Sequence, residues 1–146
     1  LIDLDLAYAP PYGQAKDPVN QTGMVAHNVL TGELVLTGPE ALTEDTPVLD
    51  VRTVGEYAAG HMPNSLNIPH TQLRDRLDEV QVWVDETVGD QPFVVMCAAG
   101  VRSWIGYRIV RHAGFNVTML SGGIQTLRAW FGDRAEAVLV TGEGCA

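Results

Sequence analysis

Pro92-Phe93-Val94-Val95-Met96-Cys97-Ala98-Ala99-Gly100-Val101-Arg102-Ser103 is the stretch that decides how this chain folds. Its first half is a continuous apolar run of strand length opened by a proline, which suits a strand buried on both faces. Its second half is short side chains and a glycine leading to Ser103, where a helix over residues 103–113 is expected to start. Outward from there, Pro47-Val48-Leu49-Asp50-Val51, Asn116-Val117-Thr118-Met119-Leu120 and the shorter Ser65-Leu66-Asn67-Ile68 read as further strands. Residues 54–59, 71–88 and 124–130 read as helices, and Gly60 and Gly114 stand where helix-terminating glycines belong. Strands that alternate with helices need crossover connections, so the expected class is α/β, a central parallel sheet with helices on both faces.

The 146 residues suffice for one domain of ordinary size with a short appendage, and exclude a two-domain enzyme. With 46% hydrophobic and 18% charged residues, the composition excludes a disordered chain. No apolar run approaches the roughly 18 residues of a membrane span and no signal peptide opens the chain, so a soluble, cytoplasmic protein without membrane partners is expected. A net charge of −9 argues against nucleic acid as a partner. The charge is uneven: between Cys97 and Arg134, Arg102, Arg108, Arg111, Arg128 and Arg134 face a single acid, Asp133. Two cysteines, Cys97 and Cys145, are too few for a disulfide framework and suit free thiols in a reducing compartment.

In doubly wound sheets, ligands gather where strands end at their carboxyl side, and Cys97 occupies such an end. A loop of small residues running into a helix can turn several backbone N–H groups inward as an anion nest. That makes Ala98, Ala99, Gly100, Val101 and Ser103 candidate substrate-binding residues around Cys97. An ordinary thiol, with a pKa of about 8.5, is only slightly ionised at neutral pH, and a helix N-terminus with a nearby arginine raises the thiolate fraction. Cys97 and Arg102 are therefore the candidate catalytic pair. The competing reading, a small buried hydrophobe at a strand end, accounts for most free cysteines but not for the glycine, arginine and helix start that follow this one.

The string from Cys97 to Ser103 resembles the active-site loop of rhodanese domains. Leu49-Asp50-Val51-Arg52-Thr53, Glu56-Tyr57 and the run from Gly60 to Pro69 resemble that family's upstream motifs. Leu120-Ser121-Gly122-Gly123-Ile124, with Trp130 beyond, resembles its closing one, so the motifs fall in order across residues 34–132. The resemblance implies a sulfurtransferase in which Cys97 takes sulfane sulfur from thiosulfate or a persulfide, carries it as a persulfide and hands it to a thiol or other nucleophile. Residues 1–30 are similar to something else. Asp5-Leu6-Ala7-Tyr8-Ala9-Pro10-Pro11-Tyr12 and Ala15-Lys16-Asp17-Pro18-Val19-Asn20 resemble the end of the dimerisation domain of coenzyme A disulfide reductases, NADH-dependent flavoenzymes that in some cases carry a C-terminal rhodanese domain.

The expected organisation is therefore a reductase tail and linker over residues 1–30 and a rhodanese-like domain over residues 31–146. The chain would be the C-terminal part of an NAD(P)H-dependent per- or polysulfide or CoA-disulfide reductase. No cofactor is expected in these residues; FAD, NAD(P)H and coenzyme A are implied for the full-length fusion. The implied partners are small sulfur donors, thiol acceptors and the parent reductase domains. Tyr8 or Tyr12 could serve the reductase's disulfide site or simply pack the tail.

Other residues invite weaker readings. Asp50, Arg52 and Glu56, near the neighbouring strand end, either brace the cysteine loop or pair with one another. His61 fits a structural turn better than a base, and His27, His70 and His112 share no metal-ligand spacing, so no metal site is expected. Cys145 is either an incidental tail thiol or a resolving one. Arg108 and Arg111 are either a docking face for anionic sulfur carriers or a solvated helix side. Two alternatives compete with sulfur transfer. Cysteine phosphatases and arsenate reductases place five residues between cysteine and arginine, whereas Ala98 to Val101 are four, a tighter ring that suits one sulfur atom. Non-catalytic rhodanese-like docking modules commonly lack the cysteine. Finally, Ala98, Ala99 and Val101 offer only apolar side chains to hold a thiosulfate dianion, which favours persulfide donors, coenzyme A persulfide among them.

Overall fold

A computed structural model gives the structure of Ile2 and residues 17–142. Tyr8, Tyr12 and Cys145 lie outside the described residues. The chain divides into two compact units, Leu1–Val35 and Leu36–Ala146. In the first, helix α1 spans Pro18–Leu30; the Asp17 carboxylate caps it by accepting from the Val19 N–H, and Pro18 fills the first turn, where its missing donor costs nothing.

The second unit holds five strands, β1 (Leu36–Thr37), β2 (Val48–Asp50), β3 (Ser65–Asn67), β4 (Phe93–Met96) and β5 (Val117–Leu120). They form one parallel sheet ordered β1-β5-β4-β2-β3. Helices α2 (Val54–Ala58), α3 (Leu77–Trp83), α4 (Val101–His112), α5 (Gly123–Phe131) and α6 (Ala135–Val138) connect and follow them. This is the α/β architecture expected, with the sheet covered on both sides.

β2 and β4 are buried at every position, which is why both read as unbroken apolar runs. Their side chains alternate between the two faces. Val48, Val94, Met96 and Leu120 join Leu42, Met62, Ile124 and Leu127 in a core beneath α5. On the other face α4 lies so close that a Cβ on Gly106 would stand 3.0 Å from Val51 Cγ1 and 3.4 Å from the Leu73 and Val95 side chains. In register, Asp50 pairs with both Met96 and Asn67, and the Val51 N–H continues the ladder to the Met96 carbonyl. The chain beyond β2 and the chain beyond β4 consequently leave the sheet side by side.

Three boundaries differ from expectation. The edge strand β1 is only two residues long and carries no sequence signal. The segment expected as one helix over residues 71–88 is a 3-10 turn (Leu73–Asp75), then α3, then a π turn (Val84–Val88). Its break sits at Arg76, which leaves helical geometry at φ −123° and ψ 29° while its guanidinium bonds Glu79 and Gln72. Helix α4 begins at Val101, two residues before Ser103.

Candidate functional site

The turn from β4 into α4 is made by Gly100, whose φ of 112° is open to glycine and strained for other residues. That conformation aims the Gly100 N–H at Cys97 Sγ, 3.2 Å away. Because α4 starts at Val101, Ser103 lies in its first turn and faces back onto the loop. The Ser103 hydroxyl stands 3.3 Å from Sγ and donates to the Gly100 carbonyl at 2.9 Å. Cys97 and Ser103 are both fully buried, whereas Ala99 and Val101 face solvent and Ala98 and Gly100 are half-buried.

Burial pushes the Cys97 thiol up. The Ser103 hydroxyl and the amides of Gly100, Ser103 and Ala99 outweigh it and hold the thiol below its ordinary value. The groups that favour the thiolate are thus neutral dipoles aimed at the sulfur.

They can aim inward because the loop's carbonyls are held elsewhere. The first N–H groups of α5, which have no partner inside their own helix, bond them: Ile124 donates to the Cys97 carbonyl at 2.9 Å and Gln125 to the Ala98 carbonyl at 3.2 Å. The approach requires glycine at position 123. Its φ is 65°, and a Cβ there would stand 2.5 Å from the Cys97 carbonyl oxygen and 2.6 Å from that of Ala98. Gly123 thus shapes the Cys97 loop, and the doubled Gly122-Gly123 of the closing motif is its signal in the sequence.

Arg102 is engaged by Glu56. Its two terminal nitrogens donate to the two Glu56 oxygens at 2.7 Å each. Glu56 is the chief group raising the Arg102 pKa, while burial opposes it and the Cys97 and Asp50 charges add weaker attractions. Glu56 also closes a capping box with Thr53 at the start of α2. Asp50 and Arg52 form a buried ion pair in which Arg52 Nε donates to both Asp50 oxygens. The same guanidinium donates to the carbonyls of Glu56 at 3.0 Å and Gly60 at 2.8 Å, so Arg52 braces α2 and the turn after it. Of these three residues, Glu56 alone is bonded directly to a residue of the Cys97–Ser103 stretch, while Asp50 and Arg52 support Glu56 from behind.

His61 is buried, stacked on Tyr57 with ring centroids 3.7 Å apart, and its Nδ1 pairs with the Tyr57 carbonyl at 3.0 Å. It acts as a packing residue. Arg108 lies over Trp104 and Arg111 over Tyr107, each 5.7 Å from the ring centroid. Among the described residues no cluster of His, Cys, Asp or Glu could hold a metal ion, and no helix is long and apolar enough to cross a membrane.

A rhodanese-like domain model matches residues 39–129, a span that includes both halves of this site. The chain belongs to the rhodanese family. Among solved structures, the reduced CoADR-RHD of Bacillus anthracis superposes with a TM-score of 0.80 at 33% identity over 92% of this chain. An NAD-dependent persulfide reductase from A. fulgidus gives 0.71 at 40% identity over 86%. An HTH-type transcriptional regulator of Mycobacterium tuberculosis is 31% identical over 126 residues, 85% of this chain. The chain spans 24% and 22% of the two solved proteins and 47% of the regulator. Its rhodanese domain is thus closely related to those of CoA-disulfide and persulfide reductase fusions.

Proposed function

We propose that Cys97 is the sulfur carrier of a sulfurtransferase that works with an NAD(P)H-dependent reductase. The observation that carries this reading is the set of neutral donors around Sγ, the Ser103 hydroxyl and the amides of Ala99, Gly100 and Ser103, which favour a thiolate. In the first half-reaction the Cys97 thiolate attacks the outer sulfur of a persulfide donor. The donor's S–S bond breaks, its thiolate leaves, and Cys97 holds the sulfur as a persulfide. In the second, an acceptor thiolate attacks that outer sulfur and Cys97 leaves as thiolate.

Persulfides or polysulfides, with coenzyme A persulfide among them, are the donors of choice. Arg102 is engaged by Glu56, and Ala98, Ala99 and Val101 carry no charge to match the second charge of thiosulfate. The relative named as an NAD-dependent persulfide reductase supports the link to reduction. In this reading residues 1–30 are a reductase tail and residues 31–146 the rhodanese domain, with FAD, NAD(P)H and coenzyme A held by the full-length fusion in a reducing cytoplasm. No strand of the described residues is followed by the Gly-x-Gly-x-x-Gly loop of a dinucleotide site.

Mass spectrometry of the protein after exposure to a small persulfide tests the reading. One added sulfur located on Cys97, and lost in Cys97→Ser, is the expected result. No gain on Cys97 refutes it.

A further inference from the structure

The Ser103 hydroxyl has one proton and two acceptors within reach. It donates to the Gly100 carbonyl at 2.9 Å and stands 3.3 Å from Cys97 Sγ. When Cys97 is a thiol, S–H donates to Oγ and the hydroxyl proton stays on Gly100. When Cys97 is a thiolate, the arrangement that satisfies the sulfur's charge turns the hydroxyl proton onto Sγ. Gly100 is not stranded by that turn, because its carbonyl also accepts the Trp104 N–H at 2.9 Å. The buried Ser103 hydroxyl has Sγ and the Gly100 carbonyl as its partners, so it is placed to serve the sulfur. The Gly100 amide, by contrast, is fixed by the backbone and points at Sγ.

We infer that Ser103 is a switching donor that stabilises Cys97 as the leaving group when the persulfide discharges. The inference rests on the sulfurtransferase reading. In discharge, an acceptor thiolate forms a bond to the outer sulfur of Cys97–Sγ–SH. The Sγ–S bond breaks with its electron pair going to Sγ, and the proton stays on the transferred sulfur: Cys97–Sγ–SH and R–S⁻ give Cys97–Sγ⁻ and R–S–SH. Negative charge appears on Sγ as the bond breaks, and the hydroxyl proton follows it. In loading, the same hydrogen bond stabilises the attacking thiolate and dampens its nucleophilicity. A lower thiol pKa speeds departure and slows attack, so a single hydrogen bond acts in opposite directions on the two half-reactions.

Single-turnover loading from a small alkyl persulfide, above the titration range of Cys97, and discharge of the loaded protein to an alkyl thiol, both followed by intact mass, test the assignment. Ser103→Ala should lower the ratio of discharge rate to loading rate roughly three- to tenfold. Ser103→Thr, which keeps a hydroxyl, should restore most of it. An unchanged ratio in Ser103→Ala, or a loss as large in Ser103→Thr, overturns the inference while leaving the sulfurtransferase reading in place. A wild-type protein that never gains sulfur overturns both. The Ser103 hydroxyl proton resonance should shift as Cys97 ionises in the unmodified protein and lie back near its thiol-state position in the persulfurated protein; an unmoved resonance also overturns the switch.

Discussion

Glu56 and Arg102 stand 46 residues apart in the chain and meet through two hydrogen bonds of 2.7 Å each, one to each carboxylate oxygen. The pair joins the capped start of α2 to the first turn of α4, the turn that also carries Ser103. It therefore fastens one side of the cysteine loop to the neighbouring strand's connection.

The Arg102 guanidinium is the main reason the Glu56 carboxyl falls from 4.5 to about 2; partial burial opposes this, and the Thr53 amide and hydroxyl assist. With a folded pKa below the unfolded one, the unfolded chain binds more protons in that interval. The stabilisation is complete above about pH 4.5 and is lost as pH falls toward 2. Glu56→Gln should melt a few degrees below wild type at neutral pH, and the gap should close on acidification. Because Glu56 is partly solvent-facing, the neutral-pH difference should be about 1 kcal/mol rather than the full value of the shift. Melting curves of both proteins across that range check this; a gap that persists at the acid end contradicts it.

Asp50 and Arg52 form the opposite case, a pair removed from water. Asp50→Ala leaves the Arg52 charge buried with only the Glu56 and Gly60 carbonyls as partners. A loss of about 3–5 kcal/mol is expected, measured by urea unfolding, against about 1 kcal/mol for the Glu56 variant.

Cys97 ionisation can be followed by ultraviolet thiolate absorbance against pH, with Cys97→Ser as the reference that removes it. The Cys97 transition should lie below that of an unfolded peptide thiol. A depressed folded pKa means that wild-type stability rises with pH from the folded value up to the ordinary thiol range. The Cys97→Ser variant should lack that rise. A wild-type titration at or above the peptide value would mean that burial prevails over the loop donors.

Gly123→Ala places a methyl group against the Cys97 and Ala98 carbonyls and asks for φ of 65° from a residue with a side chain. The backbone term alone amounts to about 1–3 kcal/mol. The displaced loop should also lose its inward donors, so persulfide formation should fall at least tenfold in protein that remains folded by circular dichroism. Gly106→Ala is the control, since its methyl group meets the Val51, Leu73 and Val95 side chains one turn of α4 beyond Ser103 rather than the loop carbonyls, and should lower stability with the Cys97 titration retained.

Donor choice should follow the Glu56–Arg102 pair. Wild-type kcat/KM for a small persulfide should exceed that for thiosulfate. Glu56→Gln frees the guanidinium for a dianion, which should shift the ratio toward thiosulfate. Equal or better wild-type turnover of thiosulfate refutes the loop argument and leaves sulfur transfer standing.

Much of the framework was legible because it is local. The runs ending at Val51, Met96 and Leu120 announced central strands, since a strand covered on both faces must be apolar at successive positions. The position of Cys97 at a strand end followed from the same runs. What the sequence concealed depends on contacts between distant segments. The sequence offers Glu56 as a brace for the cysteine loop but not Arg102 as the residue it holds, so the arginine reads there as the sulfur's own charge. The helix expected from Ser103 begins at Val101 instead; with Gly100 making the turn, Ser103 faces Sγ. The break at Arg76 was hidden because Leu73, Val80 and Val88 remain buried through it and keep the apolar pattern intact.

The bonds from Ile124 and Gln125 to the loop carbonyls come from residues that a ribosome adds more than two dozen positions after Cys97. Without α5 the Cys97 and Ala98 carbonyls lose these two donors. The lowered thiol pKa is therefore a property of the finished domain rather than of the loop sequence alone. The loop's inward-facing donors thus depend on a helix that follows it in sequence.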